Sequence, residues 1–353
     1  MSATAIIDGL RQHRTAALAR AISLVENGAA GFEEILMALH GRLGGARRIG
    51  VTGPPGGGKS TLIERLAGHY RRADFTVGVI AVDPSSPFTG GALLGDRIRM
   101  EGASSDPGVF IRSMASRGSL GGMATTTGEV ADVMDAFGFQ RILIETVGVG
   151  QSELDVASAA DTTVVVLVPE SGDGIQVMKS GLMEIADVFV VNKADRPGAD
   201  LLRQELEVAL GLRRGETFRH VPAHHGVDLG PGARTAKGRV AAAPSALAAD
   251  GRWEPPVMVT AAVGSEGVGE LAEALDRHFA FLEQSGALAD RRSRRLARRT
   301  RDVVDRALQR WVWSDSGPKA ALEAALGEVA AGKRSPYEAA AAIVARIRGS
   351  TGT

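Results

Sequence analysis

Apolar residues follow two different rhythms along this chain, and the change comes near residue 48. Before it, Leu10, Ala17, Ile22 and Val25, then Ile35, Leu36 and Leu39, recur at the three- to four-residue steps of a helix with one buried face. The pattern predicts two helices over residues 1–47. The first is closed by Gly28, and the second, Phe32 to Leu43, ends at Gly44-Gly45. From Arg48 onward the apolar residues come as short continuous runs rich in Val and Ile: Ile49–Thr52, Val77–Val82, Val109–Ile111, Ile142–Ile144, Thr163–Val168, Val188–Val191 and Val257–Val259. Runs that do not alternate suit strands buried on both faces, as in parallel sheets. Helix-length segments separate them. The expected fold is therefore α/β, a doubly wound, mostly parallel sheet with helical extensions at both ends. In such a sheet ligands bind beyond the carboxyl ends of the strands.

Two stretches break the rhythm. Residues 213–252 hold Arg213-Arg-Gly, His220, His224-His225 and Gly230-Pro-Gly, and read as a long surface insertion whose histidines are solvated rather than metal-bound. After Leu271 the chain reads as helix to its end. Seven arginines fall between Arg291 and Arg301, beside an apolar stripe of Leu296, Val303, Val304, Ala307 and Trp311. The stripe and the balancing Asp290, Asp302 and Asp305 favour a helix packed on a partner surface over a nucleic-acid arm. A short helix pair, Lys319–Ala331 and Pro336–Ile347, follows and suggests a dimerisation arm. The organisation expected is a helical extension over 1–47, a central domain over 48–285 and a helical arm over 286–353.

Composition narrows the chemistry. Lys+Arg and Asp+Glu both number 41, so no global field recruits nucleic acid or an anionic membrane. The absence of cysteine removes disulfides, zinc–thiolate sites, Fe–S clusters and a cysteine nucleophile. No run reaches membrane-spanning length and Met1-Ser-Ala-Thr-Ala is not a signal core, so a cytoplasmic protein is expected.

The polar signatures sit where the strands end. Gly53-Pro54-Pro55-Gly56-Gly57-Gly58-Lys59-Ser60 fits G-x-x-x-x-G-K-[ST] between a strand and the helical run Thr61–His69. Glycines let backbone N–H groups turn in around phosphate oxygens, and the helix N-terminus adds partial positive charge. Lys59 is then expected to bridge the β- and γ-phosphates and Ser60 to hold Mg²⁺. Asp83 and Glu145 each close a strand, where a carboxylate reaches Mg²⁺ directly or through water. Asp96 is the obvious second acid near the γ-phosphate, and the Gly148 amide the natural sensor of that group. Val149, next along, cannot orient a water and Gln151 lies further away, so slow intrinsic hydrolysis is expected until another group is supplied. Asn192-Lys193-Ala194-Asp195 places N-K-x-D at a strand end. A carboxylate there accepts from guanine N1–H and its exocyclic amine, a pair adenine lacks. Asn192 braces the loop and reaches N7, and the Lys193 stem lies over the ring. Thr260-Ala261-Ala262, after the last strand, is expected to offer a backbone N–H to O6. The nucleotide expected is GTP, with GDP as its product.

Taken together, five stretches resemble the methylmalonyl-CoA mutase-associated GTPases of the MeaB or ArgK type. They are Gly53–Thr61, Asp83–Met100, Ser113–Gly122, Glu145–Glu153 and Asn192–Asp195, and the likeness covers most of residues 10–340. The resemblance implies a homodimeric P-loop GTPase, a metallochaperone that gates cofactor loading of an adenosylcobalamin-dependent acyl-CoA mutase and protects it. It also implies that Lys59, Ser60, Asp83, Asp96 and Glu145 form the phosphate and Mg²⁺ site. Asn192, Lys193 and Asp195 would read guanine, and Ser171–Lys179 would be an additional switch facing the mutase. The insertion from Arg213 to Asp250 departs from the compact linker expected in that family. An older reading of the family, as an amino-acid transport kinase, has no independent sign in the residues.

Overall fold

The computed structural model describes residues 2–83, 106–115, 122–146, 152–169, 182–213, 251–314 and 316–350. Seven strands form one sheet: β1 (Arg47–Thr52), β2 (Val77–Asp83), β3 (Val109–Ala115), β4 (Arg141–Glu145), β5 (Thr162–Leu167), β6 (Val188–Val191) and β7 (Val257–Val259). Their order is β3-β2-β4-β1-β5-β6-β7 and every pairing is parallel. β1 is central, between β4 and β5, so the chain leaves it at the point where the strand order reverses. Register brings the chemistry together: Val51 pairs with Glu145 and Thr52 with Val165, so the loop after β1 starts beside the tips of β4 and β5.

Helices cover both faces. α4 (Lys59–Arg72) and α9 (Val268–Gln284) bury one face against Val51, Val79, Leu143, Val164 and Val190. On the other face α5 (Gly122–Phe137) and α6 (Ser152–Ala159) pack on Ile80, Val82, Ile142 and Ile144, while α7 (Leu182–Ile185) and α8 (Ala199–Arg213) cover Val165, Leu167, Phe189 and Val191.

The N-terminal region departs from the sequence expectation. It forms three helices, α1 (Ala3–Arg11), α2 (Thr15–Asn27) and α3 (Phe32–Leu39), where two are predicted. The polar triplet Gln12-His13-Arg14 breaks the first one, with His13 at φ 53° and the Arg14 N–H donating back to the Gly9 carbonyl at 2.9 Å. The fold-back lets Ile6 and Leu10 meet Leu18 and Ile22 in one buried cluster, which they share with α5 and the sheet. Gly28 ends α2 in the left-handed conformation, as its position predicts.

The C-terminal region runs as α10 (Ala287–Ser314), α11 (Ser316–Ala330) and α12 (Pro336–Ser350). Six arginines of α10 pair with acids of the chain itself. Arg291 forks onto Asp187 at 2.8 and 2.9 Å, and Arg292 and Arg295 grip Asp161 at 2.9 and 3.0 Å. Further along, Arg299 pairs with Asp132, Arg306 with Glu129 and Arg310 with Glu33. One stripe of α10 thus docks on acids of the chain itself, most of them buried. The apolar residues Leu296, Val303, Val304 and Trp311 remain exposed. Among the described residues no helix is long and apolar enough to cross a membrane.

Candidate nucleotide site

Gly53 leaves β1 at φ 135°, and a Cβ there would lie 2.0 Å from the Val166 carbonyl oxygen of β5. Only glycine lets the chain pass so close and turn. Gly53→Ala is expected to cost at least about 3 kcal/mol, because backbone strain adds to a contact that no rotamer relieves. Urea unfolding measures it, and an unchanged midpoint would contradict this view of the turn. The loop continues through Pro54, Pro55, Gly56 and Gly57, with the Gly57 N–H donating to the Pro54 carbonyl at 3.2 Å. Gly58, at φ 81°, opens α4, where Lys59, Ser60 and Thr61 fill the first turn.

The Lys59 ammonium is buried and donates to the Gly53 and Pro54 carbonyls at 2.8 and 2.9 Å. The cation is therefore already folded back into its own loop, within reach of any anion the loop receives. Ser60 Oγ donates to Glu145 Oε1 at 2.6 Å, so a hydroxyl and a carboxylate from two elements meet at the same point. Thr146 fixes that corner, its N–H donating to the Val51 carbonyl at 3.2 Å and its hydroxyl to Thr52 at 3.1 Å. Asp83 is the last residue of β2. Asp96, Gly148, Val149, Gln151, the segment Ser171–Lys179 and the insertion histidines lie outside the described residues.

At the tip of β6, Asn192 connects both ends of the site. Its Nδ2 donates to the Gly57 carbonyl at 2.9 Å, while its Oδ1 accepts from Thr260 Oγ1 at 3.0 Å and from the Ala262 N–H at 3.2 Å. A Cβ on Gly58 would meet Asn192 Nδ2 at 2.5 Å, so the phosphate loop and the turn after β6 are packed directly on one another. Lys193 takes the left-handed conformation at φ 57°, and the Ala194 N–H donates to the Thr260 carbonyl at 3.0 Å. The turn leaves Asp195 exposed, three residues beyond the buried Asn192.

One expectation changes in detail. The N–H groups of Thr260, Ala261 and Ala262 are all engaged within the protein, with the Val191 carbonyl, the Glu266 carbonyl and Asn192 Oδ1. The next N–H, that of the exposed Val263, has no partner among the described residues. Arg65 is a residue the motifs do not flag. From α4 it donates Nε to the Ala262 carbonyl and Nη2 to the Val263 carbonyl, both at 3.2 Å, and so ties the base turn to the phosphate helix. No local pattern announces such a brace, since its partners lie almost two hundred residues away.

A phosphate loop, a hydroxyl–carboxylate pair and an N-K-x-D turn, joined by one asparagine, form a single connected arrangement along the strand tips. The sequence profile of the family described as "Methylmalonyl Co-A mutase-associated GTPase MeaB" matches residues 18–316. The chain belongs to the MeaB family. A Pyrococcus abyssi relative described as a GTPase is 42% identical over 344 residues, covering 98% of this chain and 96% of its own. The mouse "Methylmalonic aciduria type A homolog, mitochondrial" is 39% identical over 230 residues, covering 60% of this chain and 55% of its own. Among solved structures, one described as an LAO/AO transport system kinase is 26% identical, with a TM-score of 0.65 over 98% of this chain and 97% of its own. Like other MeaB-family chains, this protein is a GTPase with a P-loop NTPase fold.

Proposed function

We propose that this GTPase is the chaperone of an adenosylcobalamin-dependent acyl-CoA mutase, and that its nucleotide cycle gates cofactor loading and protects the loaded enzyme. The observation that carries the reading is the family match across residues 18–316, whose description names a mutase-associated GTPase. In this reading GTP and water give GDP and phosphate, and binding energy shifts the partner between states.

Each residue has a physical task. Lys59 exchanges the Gly53 and Pro54 carbonyls for the β- and γ-phosphates, which its position deep in the loop allows. The loop amides not already engaged within the protein, together with the N-terminus of α4, are assigned to the same oxygens. Ser60 and Glu145 supply hard oxygen donors 2.6 Å apart, a set that suits Mg²⁺; Asp83 and Asp96 complete the acids expected around it. When bound, Mg²⁺ neutralises charge that develops on the β- and γ-phosphate oxygens. Gly148 donates its amide to the γ-phosphate. Asp195 accepts from guanine N1–H and the exocyclic amine, Lys193 covers the ring, and the Val263 N–H donates to O6. With Val149 in place of a water-orienting side chain, isolated turnover is slow, and the mutase accelerates it.

The exposed Trp313, Leu326, Tyr337 and Val344 of α10 to α12 support a homodimer formed through the arm, since a soluble monomer seldom displays such a set together. Nucleic acid and membrane have no place in this account, and a cytoplasmic setting fits it.

The second reading, transfer of the γ-phosphate to an acceptor, takes its support from the kinase description of the solved relative. γ-Labelled GTP separates the two. We expect all label to be released as inorganic phosphate, faster by roughly tenfold or more when a cobalamin-dependent mutase is added. Label retained on an acceptor would favour the kinase, and an unchanged rate with a mutase that does not co-purify would remove the chaperone reading.

A further inference from the structure

A cavity of about 360 Å³ lies by the amino ends of β5 and β6, the opposite end of those strands from the nucleotide site. Its walls are the end of α6, α7, Thr163 of β5, Asp187 just before β6, and α10. α10 contributes Arg291, Arg294, Arg295 and Arg298, and hydroxyl-bearing Ser158 and Thr163 complete the polar lining. These arginines divide into two pairs. Arg291 is held by Asp187, whose Oδ2 also accepts from the Thr163 N–H at 2.9 Å. Arg295 is held by Asp161 and by the Ala160 carbonyl at 3.1 Å. Arg294 and Arg298, one helical turn apart and both exposed, meet no carboxylate among the described residues. With Arg291 matched by Asp187 and Arg295 by Asp161, Arg294 and Arg298 share the lining with one further acid, Glu184.

We propose that this cavity binds a small phosphate-type dianion, at a site separate from the phosphate loop. Guanidinium groups recognise tetrahedral oxyanions through paired N–H donors, and two such groups spaced by one helical turn can converge on one anion. Arg291 and Arg295, locked by their buried acids, make a rigid floor, while Arg294 and Arg298 supply the positive charge in excess of Glu184. The volume exceeds a bare phosphate and leaves room for a ring-sized substituent, which points to an organic phosphate monoester as the better ligand. The inference stands independently of the mutase reading.

The test uses the full chain saturated with GDP and Mg²⁺, so that the phosphate loop is blocked. Calorimetric titration with inorganic phosphate and with phenyl phosphate is expected to show one saturable site, tighter for phenyl phosphate and weakened by salt. Citrate is expected to bind at least about tenfold more weakly. The double variant Arg294→Ala/Arg298→Ala is expected to lose binding by roughly tenfold or more while its GDP affinity is unchanged. A measurement on the unaltered protein supports it: phenylglyoxal modification of Arg294 and Arg298, read by mass spectrometry, should slow on adding phenyl phosphate, with exposed Arg301 unaffected. No saturable site, binding equal in the double variant, equal binding of citrate, or unprotected arginines would each overturn the proposal.

Discussion

Asp195→Asn is expected to weaken GTP binding by at least about a hundredfold, because the exposed carboxylate is assigned two hydrogen bonds from the guanine edge. An amide keeps the shape but turns one acceptor into a donor, which then faces the donors N1–H and the exocyclic amine. Xanthine carries a carbonyl where guanine carries that amine, so the same variant is expected to gain affinity for xanthosine triphosphate. Titrations with fluorescent guanine and xanthine nucleotides measure both effects. Undiminished GTP affinity would show that the base sits elsewhere, since Asp195 makes no side-chain hydrogen bond that holds the turn among the described residues. The turn is instead held by Asn192, Thr260 and the Ala194 N–H.

Asp161→Ala is expected to be the most damaging single change away from the nucleotide, destabilising the fold by about 3–5 kcal/mol. Asp161 is fully buried and accepts from Arg292, Arg295 and the Arg48 N–H. Removing it strands two guanidinium groups between α10 and the sheet. Urea unfolding checks the magnitude, with the exposed Asp290→Ala as a near-neutral comparison; equal midpoints for the two would contradict the docking role. The same group sets a pH dependence. Burial by itself would raise the Asp161 pKa, but the hydrogen bond from Arg292 and the charges of Arg295, Arg292 and Arg48 outweigh it and hold the carboxyl below its ordinary value. A folded-state pKa below the unfolded one stabilises at pH above the unfolded value, near 4, and that contribution fades as pH falls through the folded value. Acid should therefore loosen α10 as pH falls below about 4, and the Asp161→Ala variant should show a flatter loss of stability there.

The sheet was legible because its strands are continuous apolar runs, and buried parallel strands leave few other interpretations for Val77–Val82 or Thr163–Val168. The nucleotide motifs were legible because each is local: Gly53 to Ser60 and Asn192 to Asp195 carry their geometry within eight residues. What failed was long-range. The arginines of α10 looked like a face for another molecule, since their partners Asp161, Asp187, Asp132 and Glu129 lie more than a hundred residues earlier in the chain. The fold-back at His13 was hidden because Gln12-His13-Arg14 are polar residues that a helix also tolerates on its outer face. The amides of Thr260, Ala261 and Ala262 looked available because spacing identifies the turn and not which of its donors are already spent. Arg65 escaped for the same reason as the α10 arginines, its role being defined only by carbonyls brought to it by folding.

The account rests on one Mg²⁺-dependent guanine nucleotide site that runs from Lys59 to Asp195. Calorimetric titration of the purified chain with GTP, and separately with ATP, in the presence of Mg²⁺ tests it most directly. The account predicts one saturable site per chain for GTP and no comparable heat for ATP. Absence of heat with GTP, or equal affinity for the two nucleotides, would contradict it.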